Sequence, residues 1–168
     1  MTLDELSKKE RELLLQIDGT KGSIEEKADQ LKAKGIFDAY KQVHDGYADL
    51  AKENNEALKR GLFLQWYALV EPSFLTGIND IDSQAEKEII RVLDDQIGEN
   101  EVDAELYSMV SYYADWENVF DRFNGYSNLT QLLKNRLDYD SIILQLKQSD
   151  LTSRGQMGIY WQSVIPLR

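Results

Sequence analysis

The sequence predicts an all-α protein, a compact bundle of six to eight helices, and three observations carry that reading. Apolar residues recur at three- and four-residue spacing through nearly all of the 168 residues. Only two prolines, Pro72 and Pro166, interrupt the chain. No segment sustains the alternation of apolar and polar residues that marks a half-buried strand. The length is that of one domain spanning 1–168, read as an N-terminal helical hairpin (1–56) followed by a core bundle (57–168). Three Trp, nine Tyr and five Phe supply the bulk of a core without disulfide or metal support.

The first helix starts after Thr2. Leu3, Leu6, Leu13 and Ile17 mark its inner face, and their spacing is regular only if Glu10 lies on that face too. Asp18-Gly19-Thr20-Lys21-Gly22 is a turn, and Ser23 with Glu26 forms the capping box of the next helix. From Ala33 a heptad-like seam runs through Ile36, Tyr40, Val43, Tyr47 and Leu50, with a break expected near Gly35. Ala57–Val70 is apolar nearly all round and is the expected central helix, ended by Pro72. A loop over 73–82 leads to a helix capped by Asp82 or Ser83, with Ala85, Ile89, Leu93 and Ile97 inward and Gly98 at its stop. A second long helix is expected from Glu101 to Phe123, then shorter ones near 127–137, 140–149 and 156–164. The expected core includes Leu62, Leu69, Ile89, Leu93, Leu106, Val110, Tyr113 and Phe120.

Aromatic pairs recur at Trp66-Tyr67, Tyr112-Tyr113 and Tyr160-Trp161, separated by 46 and 48 residues. That spacing resembles a short two-helix-repeat solenoid, the alternative architecture. The flanking residues do not repeat, so a shared core of aromatics is the preferred explanation.

Chemistry is sparse. With no cysteine and one histidine, thiolate zinc, disulfides and a cysteine nucleophile are excluded, and neither a metal nor a cofactor is expected. His44 reads as an ordinary helix-surface histidine, because Asp45 beside it points about 100° away. Asn79-Asp80-Ile81-Asp82 begins like a calcium loop but lacks the required glycine and final glutamate. Glu53 with Glu56, and Glu26 with Asp29, give the i, i+3 acid pairs of a metal-dependent all-α hydrolase acting on a small phosphorylated molecule. This is the alternative function.

The strongest functional signal is charge. The net charge is −11, yet residues 1–60 and 126–168 are close to balanced. Between Asp80 and Asp121 thirteen acids face two bases, Lys87 and Arg91. Such a block disfavours nucleic acid and suits a basic protein partner, drawn in electrostatically. Glu88, Asp95, Glu99 and Glu105, with the edge aromatics Tyr112 and Trp116, are the expected partner-binding residues. A toxin-neutralising, immunity-like role and mimicry of nucleic acid toward a basic protein are two concrete versions of this non-enzymatic reading. No apolar run reaches the ~20 residues of a membrane span. The acidic start Met1-Thr2-Leu3-Asp4-Glu5 does not resemble a signal peptide, so a cytoplasmic location is expected.

Overall fold

The computed structural model of the chain describes residues 1–166. Those residues form ten α-helices and no strand: α1 (Leu3–Asp18), α2 (Ile24–Ala33), α3 (Ile36–Leu50), α4 (Asn55–Val70), α5 (Ser73–Thr76), α6 (Ser83–Gly98), α7 (Ala104–Tyr113), α8 (Ser127–Lys134), α9 (Tyr139–Leu146) and α10 (Gly155–Val164). None of these helices is long and apolar enough to cross a membrane.

Local chemistry sets the boundaries. Thr2 and Ser23 each accept a hydrogen bond from the backbone N–H three residues on, while Glu5 and Glu26 reach back to the cap N–H, completing two capping boxes. Asn54, Asp82, Asp103 and Asp138 cap α4, α6, α7 and α9 through their side-chain oxygens. The seam predicted from Ala33 onward splits at Gly35, whose φ of 69° is left-handed and separates α2 from α3.

α4 is the centre of the bundle, packed by α3, α6 and α10. Leu58, Leu62, Phe63, Leu64 and Trp66 are all buried there, each stabilising the fold by about 1.5–3 kcal/mol relative to exposure. One continuous apolar core runs from Leu6 on α1 to Trp161 on α10. The three aromatic pairs meet inside it: Trp66 stacks on Tyr113 at 4.6 Å, Tyr112 lies 4.6 Å from Trp161, and Trp66 lies 5.1 Å from Tyr160. Their even spacing in sequence reflects convergence on one core.

Three expectations are corrected. The helix predicted over 101–123 is only Ala104–Tyr113, followed by turns, with Asn118 at φ 64°, and a 3-10 turn at Asp121–Phe123. Phe120 and Phe123 still reach the core, which is why their spacing mimicked a helix. Leu69, expected in the core, is 54% exposed. It borders a shallow hollow shared with Val119, Phe120 and Phe123, where a turn-rich segment takes the place of the expected helix. The segment 73–82, expected as a loop, contains the single turn α5.

Candidate partner-binding surfaces

Glu88 and Asp95 on α6 and its C-cap residue Glu99 fall at i, i+7 and i+11 and so share one face. The nearest base, Arg91, is held by Glu88 at 2.5 Å and by Asp95 at 2.8 Å. These exposed pairs add little stability, but they occupy that guanidinium. α3 extends the surface. Asp45 and Asp49 line a groove of about 390 Å³ together with Asp82 and Glu88. Burial raises the Asp45 carboxyl above its ordinary range, with the charges of Asp82 and Asp49 adding to it against Lys41. Its Oδ1 is buried with no hydrogen-bond partner. Sequence reasoning missed Asp45 and Asp49 because they lie in the charge-balanced first third. Their i, i+4 spacing on the side of α3 away from the Val43–Tyr47 seam was the available signal.

Much of the remaining acidic block is structural. Glu86 pairs with Arg122. Asp94 accepts the N–H of Leu129 at 2.8 Å and ties α6 to α8. Asp103 caps α7 and accepts from Lys59 at 2.7 Å. Glu105, expected on the binding face, is withdrawn from it, because Arg154 and Lys59 hold it at 2.6 and 2.9 Å. Burial opposes its charge, but hydrogen bonds from Arg154, Ser149 and Lys59 outweigh that and hold the carboxyl at about 2. Its position in sequence could not reveal two cations arriving from α4 and from just before α10.

Glu56 belongs to the same internal network. It accepts from Arg60 at 2.7 Å and from Arg154 Nε at 2.8 Å, so both of its oxygens face guanidinium groups. Glu53 is exposed on the turn before α4. The two carboxylates of the hydrolase reading are thus split between an ion cluster and solvent. Among the described residues, no group of three or more His, Asp or Glu is placed to hold a metal ion. Beside this cluster Glu10 is 1% exposed and accepts from the Tyr47 hydroxyl at 2.7 Å and from the Gln156 N–H at 2.9 Å. A carboxylate from α1 therefore caps the N-terminus of α10, a helix with no side-chain cap of its own.

His44 corrects another expectation, since it is fully buried and not on the surface. Its Nε2 pairs with Gln65 Oε1 at 3.1 Å, which assigns the Nε2–H tautomer to a neutral ring. Burial pushes the imidazole down from 6.5 to about 4, the Gln65 bond opposing. The unfolded chain takes up that proton near 6.5 and the folded chain only near 4. Its stabilising contribution is therefore intact above pH 6.5 and is lost as pH falls toward 4. In urea melts, the stability difference between wild type and His44→Gln is expected to shrink by about 2–3 kcal/mol between roughly pH 7 and pH 4.5. A difference independent of pH contradicts the assignment.

The two expected edge aromatics part company. Tyr112 is 7% exposed and its hydroxyl pairs with that of Tyr160 at 2.6 Å, whereas Trp116 is 37% exposed. Tyr112 is ringed by Trp116 at 4.9 Å, Tyr160 at 6.2 Å and Tyr139 at 6.4 Å. No family model, no curated protein and no solved structure matches the chain.

Proposed function

We propose that the protein is a non-enzymatic binding protein that docks a basic protein surface through the acidic face of α3 and α6. The observation that carries this reading is the groove in which Asp45, Asp49, Asp82 and Glu88 converge, with the buried Oδ1 of Asp45 lacking any donor. An incoming lysine or arginine seated in the groove offsets part of the burial cost that raises the Asp45 carboxyl and the repulsion that Asp82 and Asp49 add to it. Glu88, Asp95 and Glu99 lengthen the negative face along α6 and steer the encounter. Immunity-like neutralisation of a basic toxin, or mimicry of nucleic acid toward a basic protein, are the roles this chemistry suits. The cysteine-free composition fits a reducing cytoplasm as the place of action.

The test is capture from source lysate on immobilised wild type and on a Glu88→Lys, Asp95→Lys, Glu99→Lys variant, followed by binding measurements with the protein retained. A basic protein held by wild type at low salt, and bound about a hundredfold more weakly by the variant, supports the reading. Equal binding to both removes the acidic face from function. Glu105 stays unchanged in this variant, since reversing it breaks an internal ion pair.

A further inference from the structure

We propose that the aromatic surface around Tyr112 is an anchor site for an arginine side chain of the basic partner. This rests on the preceding reading and adds a second contact that shares no residue with the α3–α6 groove.

Trp116 and Tyr139 are 37% and 51% exposed, the most open members of a continuous aromatic cluster. Trp66 lies buried 5.1 Å from both Trp116 and Tyr160 and fixes those rings, while Tyr139 joins the cluster through Tyr112 at 6.4 Å. The bond between the Tyr112 and Tyr160 hydroxyls locks that pair as well. Rigid, partly exposed Trp and Tyr rings give contact area at low entropic cost and dominate interface hot spots.

Charge decides what the rings take. Asp115 and Glu117 flank Trp116 in sequence, Asp140 follows Tyr139, and all three are exposed. The nearby base, Arg136, donates to the Ala114 carbonyl at 2.7 Å and pairs with Asp115 at 3.4 Å, so Glu117 and Asp140 carry the negative charge beside the rings. A cation over a ring face is attracted by its quadrupole. Guanidinium is favoured over ammonium because it stacks flat on a ring while its N–H fork reaches a carboxylate, and it is the more weakly hydrated of the two.

The probe is a short alternating arginine–glycine peptide, compared with its lysine counterpart and with a citrulline counterpart that keeps the shape and loses the charge. Trp116 is the exposed tryptophan, and an emission change that is absent from Trp116→Ala is assigned to it. Calorimetry gives affinities for the variants. The arginine peptide is expected to perturb Trp116 emission, and the lysine peptide to bind several-fold more weakly. Citrulline is expected to weaken binding about tenfold or more, and Trp116→Ala or Tyr139→Ala about five- to tenfold each, with melting temperatures close to wild type. Citrulline binding as well as arginine, no binding of the arginine peptide, or full binding to both alanine variants overturns the proposal. A wild-type dimer in sedimentation that Trp116→Ala dissolves also overturns it, because a second copy then covers the surface. The α6 charge-reversal variant separates the two readings. Loss of peptide binding there but not in Trp116→Ala defeats the aromatic site and leaves the acidic face standing. Loss only in Trp116→Ala supports the aromatic site and leaves the acidic face to be decided by the capture test.

Discussion

Glu10→Ala is expected to destabilise the fold by about 3–5 kcal/mol, lowering the melting temperature by roughly 10 °C. The Tyr47 hydroxyl and the Gln156 N–H both end on this carboxylate, and both are buried. Alanine leaves two donors without partners, each costing about 1–3 kcal/mol, and takes the cap from α10. Glu10→Gln keeps one carbonyl oxygen and is expected to cost clearly less. Gly155→Ala tests the same junction from the other side. Gly155 has φ +60°, and a Cβ there runs into the Glu10 carboxylate, so even this small change is expected to be harmful. Thermal unfolding followed by circular dichroism reads all three. A Glu10→Ala protein melting within about 2 °C of wild type contradicts the capping role.

Leu93→Asp is expected to abolish folding or yield insoluble protein. Leu93 is fully buried on the inner face of α6, between the central helix and the rest of the core. An unpaired carboxylate there costs more than the about 5–15 kcal/mol that holds a typical domain together can spare. Leu93→Ala is the milder probe, expected to cost about 2–5 kcal/mol and to remain foldable. A Leu93→Asp protein with a wild-type urea midpoint contradicts the placement of α6.

These two residues show what the sequence made legible. Leu93 was readable because Ala85, Ile89, Leu93 and Ile97 repeat every four residues between an Asp82 cap and Gly98, so local pattern and tertiary burial agree. Thr2, Ser23 and Glu26 were readable as caps for the same reason. Glu10 was visible only as a residue whose spacing placed a carboxylate on an inner face. Its partners lie on α3 and at the start of α10, so nothing local shows what it does. His44 was misread because a seam position and the one beside it look alike until α4 brings Gln65 across. Among the charges, counting found the excess but could not sort it. Glu86, Asp94, Asp103 and Glu105 are consumed by tertiary partners, while Asp45 and Asp49 join the exposed face from a segment of nearly zero net charge.

The proposed docking of a basic surface is tested most directly by the association rate of the captured partner as a function of ionic strength. Screening shortens the Debye length to ~10 Å at 0.1 M salt and to about 3 Å at 1 M, so steering by an exposed acidic face fades across that range. For wild type the association rate is expected to fall about tenfold or more, with dissociation changing much less. The Glu88→Lys, Asp95→Lys, Glu99→Lys variant is expected to associate slowly at low salt and to show little further decline. A wild-type rate independent of salt, or the same slope in the variant, contradicts the account.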